Sequence, residues 1–113
     1  HSLDGFDEVS LTSPFKFYFN EGERLADAQD LGLSRVRYEE IKGGTTVEDS
    51  ARMFTKILEG KGTAAQEAAV IANAAMALYC ANRTAGLPAA VQRATDSLKS
   101  GAAFQAFKKL MAE

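Results

Sequence analysis

The sequence predicts a mixed α/β fold, α+β in appearance over the length given, with a few N-terminal strands followed by about four helices. Three observations carry that reading. Before residue 45 apolar and polar residues alternate between turn signals, the period of half-buried strands. After it apolar residues recur at helical spacing almost without a break. The 113 residues, 46% apolar and 25% charged, suit one domain with a core of ordinary density.

The elements follow in chain order. Val9 and Leu11 alternate with polar neighbours and read as the first strand residues; Thr12-Ser13-Pro14 interrupts them, because Pro14 has no N–H for a ladder. Phe15, Phe17 and Phe19 alternate with Lys16, Tyr18 and Asn20, which predicts a strand with an aromatic core face. Asn20-Glu21-Gly22-Glu23 is a hairpin-turn sequence leading into a short strand around Arg24 to Ala26. Between Asp27 and Gly43 the pattern supports only one short helical turn, near Tyr38 to Lys42.

Helix starts are signalled more sharply. Thr45 with Glu48 has capping-box spacing and opens a helix whose apolar face is Ala51, Phe54, Ile57 and Leu58, stopped by Gly60 and Gly62. Thr63 with Gln66 repeats the spacing and opens the longest helix, to about Asn82. That helix is apolar nearly all round (Ala68, Val70, Ile71, Ala74, Ala75, Leu78), which predicts a central position. Pro88 suits the first turn of a third long helix carrying Val91, Ala94 and Leu98 on one face. After Ser100-Gly101, Phe104, Phe107, Leu110 and Met111 mark a last amphipathic helix, with Lys108 and Lys109 at its dipole-favoured end.

Bulk properties exclude several classes. A net charge of −2 leaves no basic surface for nucleic acid or an anionic membrane. One cysteine, Cys80, excludes an internal disulfide framework and fits a reducing cytosol, so a cytoplasmic location is expected. The run from Thr63 to Ala81 is apolar mainly through alanine and carries Gln66, Glu67 and Asn73, which reads as a buried helix rather than a bilayer span. Two or three strands make a thin sheet, and the all-round apolar helix needs more cover than the chain offers. With no initiator methionine, this predicts a fragment of a longer protein.

The most distinctive chemistry stands at the start. Asp4, Asp7 and Glu8 surround Gly5 at a loop-to-strand junction, where crowded carboxylates are costly unless a cation or basic partner offsets them. In a regular strand Asp7 and Glu8 would point to opposite faces; in a loop after Gly5 both can turn to one site. Two carboxylate donors completed by water form the hard-oxygen ligand set magnesium uses. On spacing alone the pair is a weak signal, and solvated turn residues describe it better than a metal site does.

The run His1-Ser-Leu-Asp-Gly-Phe-Asp-Glu-Val-Ser-Leu-Thr-Ser-Pro-Phe-Lys16 resembles the His-Gly-x-Asp-Gly-Leu-Asp-Glu-[Ile/Val]-Ser-x-Thr-Gly-Pro-x-Lys stretch of the anthranilate phosphoribosyltransferases. Leu31-Gly-Leu33 is similar to that family's Phe-Gly-Leu segment, and Gly43-Gly-Thr-Thr-Val-Glu-Asp-Ser-Ala51 to its Gly-Gly-Asp-x-x-Glu-Asn-Ala. Ile57-Leu-Glu-Gly60, Val70-Ile-Ala-Asn-Ala-Ala-Met-Ala-Leu-Tyr79 and Ser100-Gly-Ala-Ala103 resemble its last helices. The resemblance spans the whole chain and is most specific over the first sixteen residues. Ser2 and Ser13 stand where the family usually has glycine.

The resemblance implies the C-terminal third of such an enzyme, a part of the large α/β domain of a nucleoside phosphorylase or phosphoribosyltransferase-like fold. It implies phosphoribosyl pyrophosphate and anthranilate as substrates, tryptophan biosynthesis as the pathway, Mg2+ as cofactor, and Asp7 and Glu8 as the metal ligands. Asp4 is assigned to shaping the turn. The family's phosphate-cradling and anthranilate-binding segments have no equivalent here, so the chain alone is expected to be inactive. Dimerisation, expected of the full-length protein as a homodimer, is assigned to a helical domain upstream. Two other readings rank below this one: a non-catalytic nucleic-acid-binding relative, which the acidic charge and the retained Asp7-Glu8 pair oppose, and a pyrimidine nucleoside phosphorylase-like protein of the same fold, whose loop is less similar. Gly43-Gly44 reads as a tight turn rather than a phosphate loop, His1 as structural, Cys80 as a small core residue and Lys16 as solvated.

Overall fold

The aromatic alternation folds as its period requires. In the computed structural model, which describes Val9 and residues 11–19, 22–42 and 45–112, β1 (Phe15–Phe19) pairs antiparallel with β2 (Gly22–Ala26). Phe15 pairs with Ala26 and Phe17 with Arg24, so these four residues share one face of the ladder. Phe15, Phe17 and Ala26 are buried on it, and the Arg24 guanidinium lies 5.8 Å from the Phe17 ring centroid. The opposite face carries Lys16, Tyr18, Glu23 and Leu25, with Lys16 3.9 Å from Glu23. β2 starts at Gly22 itself, two residues earlier than predicted, because the register sets Gly22 opposite Phe19.

Val9 and Leu11 are buried as predicted, but among the described residues they belong to no strand. Their backbone bonds are spent elsewhere: Val9 on a side chain of the longest helix, and the Leu11 carbonyl on the Val36 N–H at 2.9 Å. Leu11 holds φ at +65°, a left-handed conformation rare for a bulky residue, and no ladder can form through it.

A 3-10 turn, Ala28–Leu31, follows the hairpin, and α1 (Tyr38–Ile41) is the single helical turn expected there. α2 (Val47–Leu58), α3 (Ala64–Ala81), α4 (Leu87–Lys99) and α5 (Ala102–Ala112) are the four long helices. The cap of α2 differs by one residue from the predicted one. Thr46 accepts the Asp49 N–H at 3.0 Å, while Thr45 reaches the Asp49 carboxyl at 3.3 Å. Both threonines have capping spacing, and the extended backbone falls at Thr46. α2 ends in a Schellman arrangement, Gly60 N–H to the Ile57 carbonyl and Lys61 N–H to that of Lys56, with Gly60 at φ +84°. Gly62 is needed for a different reason: a Cβ there would stand 2.9 Å from the Ile57 Cγ1.

The capping box of α3 is present in full, Thr63 Oγ1 accepting from Gln66 N–H and Gln66 Oε1 from Thr63 N–H. α3 packs chiefly on α4 and joins two core clusters. In one, Ala72 and Met76 meet Phe15, Phe17, Leu11 and Val9; in the other, Ile71 and Ala75 meet Leu58, Ala90, Ala94 and Leu98. The helix is central but not covered all round. Ala74, Ala77 and Cys80 recur every third residue on an exposed stripe, so Cys80 is a surface thiol, not the core residue predicted from its apolar neighbours. α5 is amphipathic as predicted, yet Leu110 and Met111 are exposed, and Ala103, Phe104 and Phe107 turn inward, Phe107 stacking edge-on with Phe54 at 5.2 Å. Among the described residues no helix is long and apolar enough to cross a membrane.

Candidate functional site

The acidic loop that the sequence singles out lies outside the described residues: Asp4, Asp7 and Glu8, with His1 and Gly5, and the Gly43-Gly44 pair likewise. What is described is the attachment that follows it. Val9, the residue after Glu8, is buried against α3, and both of its backbone polar groups go to one side chain. The Val9 N–H donates to Asn73 Oδ1 at 2.9 Å, and Asn73 Nδ2 donates to the Val9 carbonyl at 2.7 Å. The second Nδ2 proton goes to the Ala69 carbonyl, one turn back, at 2.9 Å.

This pairing is that of a strand neighbour, supplied by a carboxamide. The network also settles which end of the carboxamide is which, since reversal would set oxygen against two carbonyls. Asparagine is a poor residue for the middle of a helix. Asn73 is half-buried there, beside Ala72 and near Met76, both in the cluster that receives Val9. In the sequence Asn73 stands out as a polar residue in an apolar run. That placement was itself the signal, because a polar side chain on the buried part of a helix has a partner to satisfy.

A second tether secures the same segment. The Val36 N–H that holds the Leu11 carbonyl follows Arg35, whose guanidinium pairs with the Asp27 carboxylate. Asp27 caps the 3-10 turn by accepting the Ala28 N–H at 2.7 Å, and Asp30 returns the bond to the Asp27 N–H at 2.8 Å. The Arg35 hydrogen bond, and after it the Ala28 N–H, hold the Asp27 carboxyl below the usual carboxylate value. Glu40 is lowered as well, first by the Arg37 N–H.

Elsewhere the chemistry is sparse. A cleft of about 330 Å3 lies where the ends of α2 and α4 meet the starts of α3 and α5, lined by Leu58, Glu67, Leu98, Lys99 and Phe104. Glu67 and Lys99 already pair across it at 3.6 Å, and the Ser100 hydroxyl accepts the Ala102 N–H and donates to the Ser97 carbonyl. Lys16 is half-exposed in its ion pair, close to the solvated role predicted. Among the described residues no three His, Cys, Asp or Glu side chains converge to hold a metal ion.

Comparison with known proteins agrees with the N-terminal motif. Residues 1–104 match the family described as glycosyl transferase family, a/b domain, a span that includes the acidic loop. The chain is 47% identical over 110 residues to an anthranilate phosphoribosyltransferase of Christiangramia forsetii, covering 97% of this chain and 33% of the relative. It is 44% identical over 109 residues to the enzyme of that name from Cytophaga hutchinsonii (96% and 33%), and 40% identical over 111 residues to one from Bacteroides fragilis (98% and 34%). The chain thus spans about a third of the length of the curated relatives it matches. On the match over residues 1–104, it belongs to the glycosyl transferase family, as a/b-domain sequence.

Proposed function

We propose that this chain is the C-terminal part of an anthranilate phosphoribosyltransferase, acting in tryptophan biosynthesis, and that Asp7 and Glu8 are its contribution to the active site. The observation that carries the reading is identity of 40–47% to relatives of that name over almost the whole chain. In such a transfer the C1–oxygen bond of phosphoribosyl pyrophosphate breaks and its electron pair leaves with pyrophosphate. A bond from C1 to the anthranilate nitrogen forms, and that nitrogen gives up a proton.

The donor set fits Mg2+: two adjacent carboxylates are hard, anionic oxygen ligands, and magnesium takes one or two of these with waters and phosphate oxygens. Bound there, the ion would stabilise charge on the departing pyrophosphate. The chain's own task is to present Asp7 and Glu8 on the pyrophosphate side, from a segment tied down at Val9 and Leu11. Substrate-binding groups and the surface of an expected homodimer belong to the rest of the protein.

The test is anthranilate consumption, followed by its fluorescence, in the full-length protein with phosphoribosyl pyrophosphate and Mg2+. Turnover is expected, and Asp7→Asn with Glu8→Gln should reduce it at least about a hundredfold. A folded full-length protein inert toward anthranilate would overturn the substrate assignment and bring forward a phosphorylase or a binding protein of this fold.

A further inference from the structure

We infer that the cleft between Glu67 and Lys99 binds a free α-amino acid with an apolar side chain, its ammonium on Glu67 and its carboxylate on Lys99. The inference does not depend on the reading of Asp7 and Glu8. The cleft holds about 330 Å3, near the lower end for small-molecule sites, which suits a ligand the size of one amino acid. Its apolar wall is fixed in place: Leu58 and Leu98 belong to the second core cluster, and Phe104 packs against that cluster.

What marks the cleft is an ill-matched ion pair. The Glu67 side chain is only 17% exposed and that of Lys99 63%, and the two stand 3.6 Å apart, beyond hydrogen-bond reach. Among the described residues the Glu67 carboxylate has no other polar partner. Glu59, which also lines the cleft, is unlike it, being paired with Lys61 at 3.2 Å. A carboxylate largely drawn out of water without a hydrogen bond is costly, and a lysine on a mobile stem at that distance offsets little of the cost. An ammonium group brings three donors to it. A simple amine would take Glu67 and leave Lys99 without its partner, while a simple acid would meet repulsion from Glu67. An α-amino acid carries both charges on one carbon. Its ammonium and carboxylate can therefore meet Glu67 and Lys99 together, with the side chain resting on Leu58, Leu98 and Phe104.

The experiment titrates the full-length protein, with its leucine methyl groups labelled for NMR, and reads binding rather than turnover. Three compounds on one skeleton are compared: L-leucine, 3-methylbutylamine, which lacks the carboxylate, and 4-methylpentanoate, which lacks the ammonium. L-leucine should shift the Leu58 and Leu98 methyl signals saturably, and each analogue should bind at least about tenfold more weakly. Glu67→Gln should remove the preference for L-leucine over the acid, and Lys99→Met its preference over the amine. A substitution that merely loosened the fold would weaken all three compounds alike. The inference is overturned if L-leucine leaves both methyl signals unmoved. Equal binding of the three compounds would overturn it too, since that is apolar filling without recognition of charge. Should a variant fail to fold, the three compounds on the unsubstituted protein decide the matter alone.

Discussion

Asp27 shows how one side chain is asked to do two things. It caps the 3-10 turn through the Ala28 N–H and accepts the Arg35 guanidinium, and both bonds favour the ionised form. The folded carboxyl therefore titrates below its ordinary value of 3.8. A depressed carboxyl contributes stability that is fully present above the unfolded value and is lost as pH falls through the folded one. Arg35→Leu should raise the Asp27 carboxyl toward 3.8, seen by NMR titration, and should remove most of its share of the acid-side loss. Leu11 makes the converse point, since its left-handed φ is unfavourable for leucine. It is kept because the side chain is fully buried and the carbonyl is bonded to Val36.

Elements here are made by their ends as much as by their faces. α3 carries seventeen residues after its first on a capping box whose two bonds measure 3.1 and 2.9 Å. Thr63→Ala should lower unfolding free energy by about 1 kcal/mol, measured as a lower denaturant midpoint at unchanged slope. The loss should stay near that figure, because α3 is held along most of its length by two clusters. α2 is more exposed and leans on its caps: only Ile57 and Leu58 are buried, at the end where Gly60 turns the chain and Gly62 admits Ile57. β2 is weaker still, buried only at Ala26.

Across the whole molecule the two clusters are one structure because they share side chains. Leu33, Tyr79 and Val91 pack against both. Tyr79 stands edge-on to Phe17, 5.9 Å away at 88°, which ties the hairpin to the helical layer. Tyr79→Ala should therefore cost about 2–4 kcal/mol and shift a single unfolding transition. Two separate transitions in the wild-type chain would show that the clusters fold independently. Several large apolar side chains remain outside both clusters, Tyr18, Leu25, Leu110 and Met111 among them. Their exposure accords with the shortage of cover read from the thin sheet, in a chain that spans a third of its relatives.

Local rules of period and capping were enough for the strand of alternating phenylalanines, the four long helices and the Thr63 box, because each depends on neighbours within a few residues. The acidic loop was legible for another reason, its run of residue types, and its family likeness is met again in the match over residues 1–104. Contacts distant in sequence were not legible. Alternation at Val9 and Leu11 predicted a strand, but a carboxamide 64 residues away took the Val9 hydrogen bonds that a ladder would have used. The average character of its helix predicts a core Cys80, while which stripe faces solvent depends on where α4 and the hairpin come to rest. Sequence by itself determined the phenylalanine strand, its partner and the four long helices, because each is set by local period and end signals. Only the tertiary structure decided what Asn73 holds, because a hydrogen-bond partner across the chain leaves no trace in local spacing.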